Sequence, residues 1–402
     1  MTAAASPRDL TTDPPGPDAL LRRRFGGLDG MRAVGALMVV LTHVSWHTGA
    51  SFREPFGGLL ARFDAGVAIF FVISGFLLYR PYVAARLTGD EPPRVGRYLW
   101  HRALRILPVL WISIAATRLL FDHGTAASQY LRHALLIHIY WPENWVRGLT
   151  QMWSLAVEGA FYLALPLLAW ALVRTARGPE AYLRRSLLVL GALVLLSPVW
   201  TFVAHAVEHP TASQWLPAYL GWFAAGMAMA TWQQARCLDL LPAGVLDQLA
   251  RHPGTLWLAG LAVLAIASTP LAGPRGLDAV SPAEATFKCA AYTLVGALLV
   301  FPCVAARRGT EDPRAVRWLG SRVPAWLGDV SYGVFAYHLL VLELVGRAMG
   351  LEDFAGGFWW LLLTTLAVSL AVATLSYRYV ERPLIRWGRE YAERRRRSFI
   401  NS

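Results

Sequence analysis

Arg32 and His43 lie eleven residues apart in a stretch that is apolar, small or hydroxylated from Ala33 to Thr42. At 3.6 residues per turn, eleven residues make almost three turns, so both side chains leave one helix face about 16 Å apart along the axis. A guanidinium at the mouth of a membrane span and an imidazole near its middle are costly against lipid. Such groups face a polar cavity and mark a functional path. A neutral imidazole in a partly dry cavity can take a proton from an attacking hydroxyl. It can instead carry an acyl group covalently, and the spacing does not separate the two roles. His47, one turn further on, extends the polar track.

Other groups could share this chemistry. In Trp153-Ser-Leu-Ala-Val-Glu-Gly-Ala-Phe-Tyr162, Ser154 and Glu158 are four apart and Tyr162 continues their face. Glu158, a carboxylate inside a span, needs a partner such as His43, an arginine or water. A carboxylate in that place would orient an imidazole and stabilise its protonated form. Arg102 and Arg105 enter the third apolar segment three residues apart. They suit bidentate contact with phosphate, as on a coenzyme A donor, or ordinary anchoring to anionic lipid. The pair Ser74-Gly75 inside an apolar run points to close helix packing, and no GxSxG elbow makes Ser74 a nucleophile. His338 falls inside the ninth segment with Tyr332 near its mouth, and Glu381-Arg382 are expected to fix the end of the tenth helix.

The elements that must hold these groups are membrane helices. The chain is 55% hydrophobic and 16% charged, which is outside ordinary soluble composition. Its 17 tryptophans suit membrane interfaces. Apolar segments long enough to span run approximately over 31–50, 64–82, 104–121, 152–173, 186–206, 215–232, 255–271, 286–305, 330–349 and 357–379. A re-entrant or interfacial piece is expected around Leu131–Tyr140, too short to cross. The fold expected is an all-α integral membrane protein, a polytopic bundle of about ten transmembrane helices.

Arginines set the orientation. One set of loops holds Arg22 to Arg24, Arg86, Arg94, Arg97, Arg174, Arg184, Arg307, Arg314 and the tail Arg394 to Arg397; the alternate loops hold only Arg53, Arg62, Arg132, Arg147 and Arg275. Both termini are therefore expected in the cytoplasm of a multi-pass plasma-membrane protein. The net charge of +12 is this topogenic excess and does not indicate nucleic-acid binding. His43 then sits about 18 Å from the cytoplasmic end of its span and Glu158 about 9 Å from the outer end of its own, at similar depths.

Three cysteines give no disulfide framework, and no cysteine or histidine spacing suggests a metal. The polar, Pro-rich N-terminus lacks the apolar core of a signal peptide. The expected division is a disordered tail at 1–26, a transmembrane domain at 27–388 and a basic tail at 389–402.

Together these stretches resemble the acyltransferase-3 family of integral membrane O-acyltransferases, from about Gly27 to Pro383 and in the family's order. Leu28-Asp29-Gly-Met-Arg32 with His43 resembles its opening motif, and Phe70–Leu78, with Ser74, its second-span motif. Arg102, Arg105, Ile106 and Pro108 resemble its third-span entry. Trp153-Ser154 with Glu158 and Tyr162 resembles a further signature. Ser331-Tyr332 with His338, and Glu381-Arg-Pro383, resemble its closing motifs.

The resemblance implies transfer of an acyl group, acetyl or another short chain, from acyl-CoA to a hydroxyl of a sugar-containing acceptor, without a metal. It implies that Arg102 and Arg105 hold the CoA, that Arg32 lies near the pantetheine path, and that His43 is base or acyl carrier supported by Glu158. Stand-alone members, without an appended hydrolase-like domain, modify envelope sugars or macrolides and related glycosides. A transporter or flippase of a polysaccharide or lipid-linked sugar is the alternative, weakened by the lack of an internal repeat.

Overall fold

The computed structural model describes residues 24–53, 55–121, 124–143, 145–174, 178–276, 278–305 and 311–400, with the side chains of 393–400 left aside. The expected N-terminal tail lies mostly outside these residues.

Ten long helices carry the fold: α1 (Gly26–His47), α2 (Gly66–Thr88), α3 (Val95–Phe121), α4 (Met152–Arg174), α5 (Pro179–Ala206), α6 (Leu216–Cys237), α7 (Pro253–Ala267), α8 (Pro282–Val304), α9 (Arg322–Ala348) and α10 (Phe358–Ser376). Each coincides with one expected apolar segment, and no strand occurs among the described residues. Eight long helical stretches qualify as membrane spans by length and hydropathy. Two helices fall short, for different reasons. Helix α7, at 15 residues, reaches about 22 Å, less than the hydrocarbon thickness. Helix α6 ends in buried Gln233, Gln234 and Arg236, with Arg236 ion-paired to Asp247 at 3.1 Å. Protein rather than lipid surrounds that end, so its polar groups are tolerated.

Several helices outrun their apolar stretches. Helix α3 begins at Val95 rather than near residue 104, and α9 at Arg322 rather than near residue 330. Hydropathy marks where a helix meets apolar surroundings, whereas polar, arginine-bearing turns continue the same helical backbone. The chain also does not stop at Glu381. A π-helical turn over Tyr377–Glu381 joins α10 to α11 (Arg382–Ile400). Glu381 is buried, and its Oε1 lies 3.4 Å from the Ser376 hydroxyl. The expectation that Glu381 and Arg382 end a helix is thus corrected. Helix α11 continues because Trp387 and Tyr391 rest on Trp100 of α3, with ring centroids 5.9 and 6.2 Å away.

Lipid is as apolar as leucine, so hydrophobicity does not join membrane helices; close packing does. Helices α2 and α6 meet backbone to backbone. A Cβ at Gly75 would lie 2.1 Å from the Phe223 carbonyl oxygen, and one at Gly226 would lie 2.0 Å from that of Val72. Phe223 then stacks between Phe71 and Phe161 at 4.4 and 3.9 Å. The outward faces of α4 and α5, with Leu163, Leu167, Leu188 and Leu195 exposed, are the surface that lipid covers.

Replacing Gly226 with leucine forces these backbones apart. It is expected to cost about 1–3 kcal/mol or more. A thermal melt in detergent that matches the parent would contradict the backbone contact.

Candidate functional site

Helix α1 starts with Asp29 in its first turn, where the helix dipole favours a carboxylate. Asp29 accepts from Arg24 at 2.8 Å and from Arg32 at 3.0 Å. The aspartate therefore fixes the guanidinium that opens the site. Arg32 points into a cavity lined also by Arg102 and Arg105 of α3, Ser74 of α2, Ser154, Glu158 and Tyr162 of α4, and Ser331 and Tyr332 of α9. Five helices converge there. The four-residue spacing of Ser154, Glu158 and Tyr162 does put all three on one wall.

Two pairs of these walls are tied by polar contacts. Ser74 Oγ donates to Glu158 Oε1 at 2.5 Å, joining α2 to α4. Tyr332 Oη donates to the Ile106 carbonyl at 2.7 Å, joining α9 to α3. Arg102 and Arg105 form no ion pair among the described residues, and Arg102 Nε is buried without a hydrogen-bond partner. Three guanidiniums thus face a cavity whose own wall supplies one carboxylate. Such a surplus of cationic donors suits a phosphate-bearing ligand.

His43 does not line this cavity. It stands beyond Phe70 and Phe335, whose rings meet at 6.2 Å and which form part of the cavity wall. Its partner is His338: His338 Nε2 lies 3.2 Å from His43 Nδ1. Backbone carbonyls assign the tautomers. His43 Nδ1 is 2.8 Å from the Val39 carbonyl, and His338 Nδ1 is 2.7 Å from that of Phe335. Only a protonated Nδ1 can serve each carbonyl. His338 Nε2 is then an acceptor, and His43 Nε2 keeps its lone pair free.

That arrangement corrects the expected pairing of Glu158 with His43. Glu158 is held by Ser74 and shares a cavity with Arg32, Arg102 and Arg105, while His43 is supported by His338. The reason is the antiparallel run of α1 and α4. Glu158 is displaced toward the Arg32 end of α1, and it is Trp153, a turn and a half earlier on α4, that reaches the His43 level.

His43 opens instead into a second cavity, with Trp153, Tyr219, Thr150, Gln214, Trp145 and His138 around it. Trp153 and Tyr219 lie at 5.0 Å centroid to centroid. Most of these residues were not expected from sequence. His138 belongs to the connection between α3 and α4, which folds as a short helix over Ala127–Ala134 and a 3-10 turn over His138–Tyr140. The connection covers the segment expected as a re-entrant or interfacial piece, and the one available signal was two histidines five residues apart within it.

His133 and His138 stack face to face, centroids 3.9 Å apart and planes within 8°. Between them Leu136 adopts φ 58°, a left-handed conformation that costs a leucine energy. Burial, helped by the neighbouring His133, pushes the His138 pKa down to about 3, so the ring is neutral. Among the described residues no cluster of three or more His, Cys, Asp or Glu is placed to hold a metal.

Residues 25–378 match the family described as an acyltransferase domain. The chain is similar to Nodulation protein 10 of Rhizobium leguminosarum bv. viciae, 26% identical over 388 residues that cover 89% of this chain and 92% of the relative. It is similar to the putative peptidoglycan O-acetyltransferase YrhL of Bacillus subtilis, 25% identical over 396 residues, covering 90% of this chain and 55% of the relative. Acyltransferase MdmB of Streptomyces mycarofaciens is 26% identical over 385 residues, covering 90% and 92%. No solved structure matches.

The neutral stack makes the connection acid-sensitive. The unfolded His138 takes a proton near its ordinary pKa of 6.5, whereas the folded one resists until about 3. Stability is therefore complete above that ordinary value and is lost as pH falls toward 3. Between pH 7 and 5 the loss is about 2 kcal/mol. Protection factors over residues 127–140, corrected for the intrinsic pH dependence of amide exchange, should fall across this range in the parent and fall less in His138→Phe.

Proposed function

The chain belongs to the acyltransferase-domain family, and on that premise we propose that it moves an acyl group from acyl-CoA to a hydroxyl of a carbohydrate-containing acceptor. It is an acyltransferase enzyme carried by a multi-pass membrane bundle. The observation that supports this reading best is the pair of sites on one face of α1. A cation-rich cavity surrounds Arg32, and an imidazole with a free ring nitrogen lies further along the same helix at His43.

The reading assigns the donor to the first cavity. Arg102 and Arg105 grip its phosphates, and Arg32, steered by Asp29, continues the track toward His43. Ser74 holds Glu158 against the wall, and Tyr162 and Tyr332 complete it. With the positive-inside distribution of arginines, this mouth faces the cytoplasm of the plasma membrane, where acyl-CoA resides.

The chemistry is ester exchange. The acceptor oxygen attacks the thioester carbonyl carbon, the C–S bond breaks and a C–O bond forms. His43 Nε2 takes the hydroxyl proton and passes it to the departing thiolate. His338 accepts from His43 Nδ1, which keeps the lone pair on Nε2 and stabilises the imidazolium as it forms. A covalent route through Nε2 uses the same atom, and accumulation of an acyl-protein from acyl-CoA alone would mark that route.

A carbohydrate acceptor accords with relatives whose names state peptidoglycan O-acetyltransferase, YrhL and OatA of Listeria monocytogenes. A transporter of a polysaccharide or lipid-linked sugar remains the contrasting reading. It would move sugar in vesicles without consuming acyl-CoA or releasing thiol.

His43→Ala should abolish transfer of labelled acyl groups in membranes while leaving the protein folded and inserted, a loss of at least about 100-fold for a general base. Full activity in that variant removes the assignment. Arg102→Ala should raise the acyl-CoA KM about tenfold or more with a smaller change in kcat, as expected for one charge-assisted contact of about 1.5–3 kcal/mol. An unaltered dependence on acyl-CoA concentration counts against the donor site.

A further inference from the structure

The second cavity has the character of a ligand site, and nothing in the donor chemistry above uses it. His43 and His138 share it, from elements far apart in the chain. His138 is only 3% exposed. Its Nδ1 is buried and has no hydrogen-bond partner among the described residues. The stacked His133 cannot supply one, because two parallel rings present π faces to each other rather than donors and acceptors. With Nδ1 covered, Nε2 is the ring nitrogen that His138 can present to the cavity.

The opposite wall is aromatic. Trp153 and Tyr219 lie against each other there, and Trp145 stands at the opening, 69% exposed. Flat aromatic faces beside a few convergent polar groups suit a ligand that is apolar on its ring faces and hydroxylated at its edges. A pyranose has that surface.

We infer that this cavity is the acceptor site, that it binds a sugar ring against Trp153 and Tyr219, and that His138 holds the reacting hydroxyl for His43. The hydroxyl proton points to His43 Nε2, and its oxygen accepts from the ring N–H of His138. His138 stays neutral throughout and orients the nucleophile without taking its proton. On ester formation the oxygen loses its proton to His43 and gains the acyl carbon, and its bond to His138 is what holds it in line during that exchange. The strained Leu136 turn, which sets His138 on His133 and toward the cavity, is then part of the site's construction.

The inference rests on acyl transfer to a carbohydrate hydroxyl, and the test separates the two. Membranes carrying the full chain are supplied with radiolabelled acetyl-CoA. Alkali-labile label on endogenous carbohydrate is measured over a range of acetyl-CoA concentrations. His138→Phe keeps the stacked plane and removes the hydrogen bonds. It should lower carbohydrate labelling at least tenfold, while the acetyl-CoA KM stays within twofold of the parent. His138→Gln, which restores a donor, should recover part of the loss. Thr150→Trp, which fills the cavity from the connection and leaves both histidines in place, should likewise stop labelling while the acetyl-CoA KM stays within twofold.

Labelling at the parent rate in folded His138→Phe overturns the acceptor site. So does an equal loss of donor affinity and acceptor transfer, since that marks a structural role. If the parent labels no carbohydrate, the acyl-transfer reading itself fails and the inference falls with it.

Discussion

Three guanidiniums inside an apolar bundle are the constraint to which the rest of this structure answers. An isolated charge at that depth is held only if protein, water or ligand compensates it. Asp29 compensates Arg32 from within the same helix turn. Arg102 and Arg105 have no such partner among the described residues, and the one carboxylate in their cavity accepts from Ser74. The resting site therefore carries a standing demand for anionic oxygen. Replacing that demand with internal ion pairs would make the bundle more self-sufficient and the cavity a poorer host for phosphate.

Packing makes this demand bearable. The close crossing of α2 and α6 at Gly75 and Gly226 lets Phe71, Phe161 and Phe223 stack into a continuous apolar layer. Phe70 and Phe335 extend that character between the two cavities. The guanidiniums of Arg32, Arg102 and Arg105 lie on one side of this layer, and the paired imidazoles of His43 and His338 occupy the other. On the proposed reading, the thioester arm of the donor, thin and uncharged at its reactive end, crosses this aromatic layer while its phosphates stay behind.

Much of this was legible in the residues. The ten apolar segments each became a helix. The three-residue and four-residue spacings placed Arg102 with Arg105, and Ser154 with Glu158 and Tyr162, on single walls. The Ser74-Gly75 pair signalled close packing, which Gly75 performs. The partner of Ser74 was not legible, because nothing local to α2 indicates that a glutamate 84 residues later will face it. The continuation of the chain past Glu381 was likewise hidden, since it depends on Trp387 and Tyr391 finding Trp100.

The sequence by itself determined which groups are ionisable within the spans and which face of its own helix each occupies, because helical periodicity is a local property of the backbone. Only the tertiary structure decided which faces meet. It put Glu158 beside the arginines rather than beside His43, gave His43 the ring of His338, and brought His138 from a short connection into the same cavity. The physical reason is that protein-facing and lipid-facing surfaces of a membrane helix are equally apolar. Hydropathy therefore carries no signal about neighbours, and backbone contacts through glycine, with a few hydrogen bonds between distant residues, make the choice.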